Sequence, residues 1–205
     1  MKYVDLSHTF DVNTPVYPGD APPTFLQLAE NSKDGFMITQ LTHNTHTGTH
    51  IDAPLHMIEN GKNIHDYPIS YFFGEAVVIK AKDKKIIDID SLEGVILLEN
   101  DLVIIETGKY KEYGESSYFE NSPEISVQFA KALVNAKVRM LCIDFASPDS
   151  APFLVHKELL SNDILIIENL NNLEALGESA RFKIVALPGP YATDASPVRV
   201  VAIVD

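Results

Sequence analysis

The sequence predicts an α/β domain, and three observations support this prediction. Short runs of β-branched and apolar residues outnumber the stretches with helical spacing. The two helical patterns lie between such runs, as they do in mixed α/β architectures. The chain has 205 residues, of which 45% are hydrophobic and 22% charged, which fits one globular domain over residues 1–205 with a substantial core.

Each predicted element follows from its local pattern. Six apolar, β-branched runs predict strands, at residues 75–80, 101–106, 138–145, 163–168, 183–187 and 198–204. A helix is predicted over 126–136, where Val127, Ala130, Leu133 and Val134 keep helical spacing. A short second helix is predicted over 152–160. Segment 11–23 holds four of the twelve prolines and is predicted to be an ordered loop.

The charge and the cysteine content narrow the possible partners and location. Lys and Arg number 16 against 29 Asp and Glu, a net charge of −13, which argues against nucleic acid and anionic membranes as partners. The single cysteine, Cys142, lies in an apolar run and is predicted to be a buried strand residue. Residues 1–6 lack a signal-peptide pattern and no window resembles a membrane span, so we expect a cytoplasmic protein.

A cluster of metal-binding residue types dominates the sequence. His46, His50, Asp52 and His56 fall within eleven residues. Imidazole and carboxylate ligands suit Zn²⁺, Mn²⁺ or Fe²⁺, and no thiolate favours a closed structural zinc site. The cluster holds one imidazole more than a three-ligand site requires. This pattern indicates a catalytic metal site.

No regular element brings all four groups together unaided. On a helix, Asp52 would project about 200° away from His50. On a strand all four side chains point one way, but the Cα atoms of His46 and His50 would lie about 13 Å apart. Gly48 offers a bend between the two histidines, and Pro54 indicates a sheet edge or the end of pairing. We therefore predict a bent, strand-like segment.

Further ligands are predicted from a second region. A site for two divalent ions needs more negative charge than Asp52 supplies. Glu168 ends an apolar strand, where α/β domains commonly place functional groups, and His156 lies on the preceding helix. Other acidic positions are interpreted as turn residues or structural ion pairs, namely Asp144, Asp149 and the block 194–199.

The run 46–56, HTGTHIDAPLH, resembles the signature of the metal-dependent cyclase/hydrolase family that includes bacterial kynurenine formamidase and isatin hydrolase. Weaker similarities occur in the family's order along most of the chain, at residues 5–8, 17–20, 143–149, 156–170 and 194–199. The resemblance implies a swivelling β/β/α domain with a mixed sheet core and flanking helices. It also implies a homodimer or homotetramer.

The resemblance further implies a division of roles among the clustered residues. His46, His50 and Asp52, joined by Glu168, would bind one divalent ion. Asp52, Glu168 and His156 would bind a second. Zn²⁺ is the expected metal and Mn²⁺ the alternative, with two ions per subunit possible. His56 would be the catalytic proton donor and acceptor.

The implied activity is hydrolysis of a small-molecule amide by metal-activated water. The family member kynurenine formamidase converts N-formylkynurenine to kynurenine and formate in tryptophan catabolism. Tyr17 occupies the position of a tryptophan that usually contacts the aromatic substrate, and Ala195 replaces a usual glycine. Two alternatives stay open: a hydrolase of a cyclic imide, lactam or ester, and a non-catalytic metal-binding protein. A purely structural metal site is disfavoured by the absence of cysteine ligands.

Overall fold

A computed structural model describes residues 1–177 and 181–204. Within these residues the α-helices are α1 (Asn31–Asp34), α2 (Val127–Ala136) and α3 (Leu154–Leu160). The strands are β1 (Lys2–Asp5), β2 (Thr24–Ala29), β3 (Ile38–Thr42), β4 (His50–Asp52), β5 (Phe73–Lys80), β6 (Ile86–Ile87), β7 (Leu102–Glu106), β8 (Glu124–Ile125), β9 (Met140–Ile143), β10 (Leu165–Glu168), β11 (Arg181–Pro188) and β12 (Ala195–Val204).

The main sheet closes into a seven-strand barrel. Its order is β12, β11, β5, β7, β9, β10 and β4, and β4 pairs back onto β12. Strands β5, β7, β9 and β10 run parallel, whereas β11, β12 and β4 form antiparallel pairs. The ten residues of β12 allow one end to pair with β4 and the other with β1. Closure leaves the short β4 with a partner strand on each side.

Both faces of the central parallel strands are buried, which explains their continuous apolar sequences. In β7, Leu102 and Ile104 belong to a cluster with members from all seven barrel strands, so this cluster fills the barrel interior. Val103 and Ile105 belong to the opposite cluster, which also contains Phe129 of α2 and other helical side chains. The barrel interior and the helix-covered face are thus two separate cores.

The predicted mixed α/β fold is confirmed, and all six predicted strands and both predicted helices are present with shifted ends. Cys142 is buried in β9, as predicted. The layered arrangement of a swivelling β/β/α domain stays a prediction. Sequence analysis missed the hairpin of β2 and β3, whose residues are exposed on both faces apart from Ala29 and so show no apolar alternation. Among the described residues, no helix is long and apolar enough to cross a bilayer.

The buried face of α2 provides a test of the helix-covered core. Leu133 is fully buried there. We expect Leu133→Ala to lower the free energy of unfolding by about 2–5 kcal/mol, because it removes apolar contacts and leaves a cavity. Lys131→Ala, on the exposed side of the same helix, should change it by less than about 0.5 kcal/mol. The measurement is the free energy of unfolding from urea denaturation. Equal decreases for the two substitutions would contradict this packing.

Candidate metal centre

The segment that carries the sequence cluster is bent, as predicted. Gly48 lies in a turn with φ +74°, and a Cβ there would come within 3.0 Å of the Phe10 ring. This left-handed conformation favours glycine. The segment 50–52 then forms β4, and Pro54–His56 forms a single 3₁₀ turn. The bend after His46 and the turn that contains His56 bring the four predicted residues into two overlapping groups, which share Asp52.

Strand pairing delivers Glu168 to this cluster. In the antiparallel register of β4 and β10, His50 lies directly opposite Glu168, and Asp52 lies opposite Ile166. Opposed residues of antiparallel strands project on the same face. His50, Asp52 and Glu168 each offer a ligand atom, and these atoms lie within 4.8 Å of one another.

The buried atoms of this group fit a divalent cation. His50 Nε2 lies 3.4 Å from Asp52 Oδ1 and 3.4 Å from Glu168 Oε2. The three residues are 1%, 1% and 6% exposed, respectively. Neither His50 Nε2 nor Asp52 Oδ1 makes a hydrogen bond of suitable geometry, although His46 Nδ1 lies 2.9 Å from Asp52 Oδ1. Buried polar atoms without partners are costly, and a cation held between these lone pairs would satisfy both atoms.

Hydrogen bonds hold the Nδ1 atoms of two histidines in place, so that their Nε2 atoms face the cluster. His50 Nδ1 donates to the carbonyl oxygen of Gly48 at 2.9 Å. His156 Nδ1 contacts a carboxylate oxygen of Asp149, and its Nε2 lies 3.5 Å from Glu168 Oε1. Metal-binding histidines typically show this arrangement. Asp149, interpreted from the sequence as a turn residue, also accepts the backbone N–H of Val155 at the start of α3.

Asp194, interpreted from the sequence as part of a structural ion pair and turn, lies in a bend and pairs with a histidine of the cluster. Its Oδ2 lies 2.9 Å from His46 Nε2, while His46 Nδ1 lies 2.9 Å from Asp52 Oδ1. Arg199, in the same block, pairs with Asp5 at 2.6 Å and not with Asp194. The missed signal was positional, because Asp194 directly precedes the end of β12 that pairs with β4.

The carboxylates control protonation of the site. Burial alone would lower the pKa of His46, but the close contact with the charged Asp52 carboxylate, helped by Asp194, outweighs burial and raises the pKa to about 9. Burial also opposes protonation of His156, yet Asp149 and Glu168 raise its pKa to about 10. For Asp52 the burial penalty is exceeded by the neighbouring histidines, which hold its pKa well below the usual range. The carboxylates thus favour positive charge at this place, whether it comes from protonated imidazoles or from a bound cation.

His56 lies at the more open side of the centre. Its side chain is 25% exposed, and its Nδ1 lies 3.6 Å from Asp194 Oδ2. Its ring centroid is 4.1 Å from that of His46 and 5.8 Å from that of His156. Burial lowers the pKa of His56; the charge of Asp52 opposes this shift, and His46 adds to it. His56 also lies within 4.8 Å of the ligand atoms of His46 and Asp52, so geometry allows it to be a ligand or a proton carrier.

The centre opens into a cavity of about 520 Å³. Its wall combines histidine and carboxylate side chains of the cluster with Tyr17, Phe119, Phe153 and Met57. Tyr17, predicted to contact substrate, is half exposed, and its ring meets that of Phe119 edge to face at 6.0 Å. This cavity accommodates a small molecule with a flat apolar part next to the polar centre.

Comparison with known proteins agrees with this arrangement. A family model described as putative cyclase matches residues 4–150. The protein belongs to the cyclase family. This cyclase-family protein is 34% identical over 202 residues to a kynurenine formamidase of Geobacillus thermodenitrificans, covering 96% of its own chain and 95% of the relative.

Solved structures extend the similarity to the fold. A potential metal-dependent hydrolase with cyclase activity superposes with a TM-score of 0.84 at 26% identity, over 98% of this chain and 96% of that chain. Isatin hydrolase A of Labrenzia aggregata superposes with a TM-score of 0.88 at 23% identity, over 98% and 93%. The family predicted from the sequence is therefore confirmed, and the relatives support a metal-dependent hydrolase.

Metal content tests the ligand assignment directly. We expect His50→Ala to hold markedly less divalent metal than wild type, because the substitution removes an inward-facing nitrogen and leaves Asp52 and Glu168 without it. The measurement is elemental analysis of protein purified with Zn²⁺. His65→Ala, which changes an exposed histidine, is the matched control and should keep wild-type content. Equal content in both variants would remove His50 from the ligand set.

Proposed function

We propose that this protein is a metal-dependent hydrolase that cleaves the C–N bond of an amide. The proposed substrate class is the N-formyl amides of aromatic amines. One observation carries the proposal: the partnerless pair formed by His50 Nε2 and Asp52 Oδ1 lies beneath a cavity that His56 also lines. A cation-binding group and a separate imidazole thus face the same small-molecule space.

The proposed ligand set uses two overlapping groups. His46, His50 and Asp52, with Glu168, would hold one ion, and Asp52, Glu168 and His156 would hold a second. Zn²⁺ is the proposed metal and Mn²⁺ the alternative, because imidazole and carboxylate ligands accept both. When bound, such an ion supplies Lewis acidity, which activates water and polarises a carbonyl oxygen.

His56 is the proposed proton carrier. Its Nδ1 lies 3.6 Å from Asp194 Oδ2, and its side chain lines the cavity. His56 can accept a proton from the attacking water and pass it to the nitrogen that leaves. Water adds to the carbonyl carbon, the C–N bond breaks, and the products are a carboxylate and an amine.

The cavity wall supports an aromatic substrate. Tyr17, Phe119 and Phe153 flank the centre, and aromatic rings favour edge or offset contacts with another ring. The similarity to a kynurenine formamidase supports an N-formyl arylamine such as N-formylkynurenine, and with it a role in tryptophan catabolism. A lactam or cyclic imide is the second candidate, favoured by the structural similarity to isatin hydrolase A.

A substrate screen tests the activity and the role of His56 together. Zn²⁺- or Mn²⁺-loaded protein should hydrolyse N-formyl arylamides faster than lactams, cyclic imides and esters. We expect His56→Ala to lower kcat by about 10²–10⁴-fold, because the proton carrier is lost, while metal content stays at the wild-type level. If the wild-type protein hydrolyses none of these substrates faster than the His56→Ala variant does, the proposal is refuted. Loss of metal in this variant would instead make His56 a ligand.

We further propose that the protein is a homodimer or homotetramer in which the β2–β3 hairpin contacts another copy. An isolated two-stranded ribbon is marginally stable in water, yet this hairpin exposes large apolar side chains on its outer face. Leu26, Leu28 and Ile38 are 57%, 56% and 46% exposed. In the sequence, the hairpin lies between two segments that line the cavity, one containing Tyr17 and the other Thr45.

Light scattering tests this assembly. Wild type should have a mass of twice 22.7 kDa or a larger multiple, whereas Leu26→Lys combined with Leu28→Lys should be a monomer, because the substitutions place two charges in an apolar contact. Ile96→Lys, at an exposed apolar position outside the hairpin, should keep the wild-type mass. A monomeric wild type would refute the homodimer, and an unchanged double variant would place the interface elsewhere.

A further inference from the structure

Asn169 occupies a constrained position directly after the proposed ligand Glu168. It is 7% exposed and has a backbone φ of 58°, in the left-handed region that asparagine tolerates better than most residues. Its backbone N–H donates to the carbonyl oxygen of Phe145 at 3.2 Å. Its backbone carbonyl accepts the hydroxyl of Thr49 at 2.7 Å. The main chain is therefore fixed on both sides of the residue.

The side chain of Asn169 reaches across to the bend at Gly48. Asn169 Nδ2 donates to the carbonyl oxygen of Gly48 at 3.0 Å, and Tyr118 donates its hydroxyl to Asn169 Oδ1 at 2.7 Å. A carbonyl oxygen can only accept, so the amide group has one orientation compatible with both contacts. Tyr118 is fully buried, which keeps water from competing for this amide.

The same carbonyl oxygen of Gly48 also accepts the Nδ1–H of His50 at 2.9 Å. Its two lone pairs are thus shared between Asn169 and His50. The first contact fixes where the carbonyl points, and the second fixes which nitrogen of His50 carries the proton. In the neutral imidazole the lone pair is then on His50 Nε2, which lies 3.4 Å from both Asp52 Oδ1 and Glu168 Oε2.

We infer that Asn169, oriented by Tyr118, is a positioning residue that presets His50 for the metal through the carbonyl of Gly48. The inference rests on the proposed metal-dependent function, because it concerns one of its ligands. It also gives a physical reason for the succession of Glu168 and Asn169. Glu168 supplies a ligand, and Asn169 positions the ligand His50 on the neighbouring strand.

The test compares two identical substitutions at matched backbone positions. Asn169→Asp keeps the shape and the φ preference but replaces the Nδ2 donor with a carboxylate oxygen that repels the carbonyl of Gly48. Asn172→Asp is the control, because Asn172 also has φ 58° and also donates Nδ2 to a backbone carbonyl, that of Asp5 at 3.2 Å. Asn172 lies outside the proposed ligand set.

The readouts are the Zn²⁺ dissociation constant, measured by chelator competition, and the His50 Nδ1–H resonance in ¹⁵N-histidine NMR spectra of the zinc-loaded protein. We expect Asn169→Asp to weaken Zn²⁺ binding by about 10–100-fold and to shift or broaden that resonance. Asn172→Asp should change neither. Equal dissociation constants for the two variants would overturn the inference and leave the proposed function intact.

Two further outcomes keep the test decisive. If Asn169→Asp does not fold, Tyr118→Phe replaces it, and a Zn²⁺ affinity and His50 resonance equal to wild type would overturn the inference. Wild-type protein that binds Zn²⁺ but hydrolyses no amide would refute the proposed activity alone, and the two dissociation constants would still decide the role of Asn169. Wild-type protein that binds no Zn²⁺ would overturn both.

Discussion

The pairing of β4 with both β10 and β12 is the constraint on which the rest of the structure depends. β4 has three residues, and two of them, His50 and Asp52, are buried polar groups. Pairing with β12 closes the barrel, and pairing with β10 sets His50 opposite Glu168. The backbone hydrogen bonds that complete the fold therefore also assemble the candidate metal centre.

This arrangement concentrates polar atoms where burial is costly. His50 Nε2 and Asp52 Oδ1 have no hydrogen-bond partners, whereas the outer nitrogens of His46, His50 and His156 each have one. Such a distribution is inefficient for stability alone. It suits the binding of a cation, because the two unpartnered atoms lie 3.4 Å from each other.

Local chemistry explains how much was predictable from the sequence. The spacing of His46, His50, Asp52 and His56 around Gly48 was sufficient to predict a bent metal-binding segment, since all four positions lie within a few residues of one another. Glu168 followed from its place at a strand end. The hairpin of β2 and β3 was missed, because a ribbon without a buried face carries no alternation of apolar residues.

The sequence by itself determined the family, the principal strands and the residue types of the candidate metal centre. These depend on residue types at short spacing and on apolar runs buried on both faces. Only the tertiary structure decided that Asp194 reaches His46 and that Asn169 reaches Gly48. These contacts join residues 148 and 121 positions apart. Barrel closure and strand register create them, and neither leaves a local pattern in the chain.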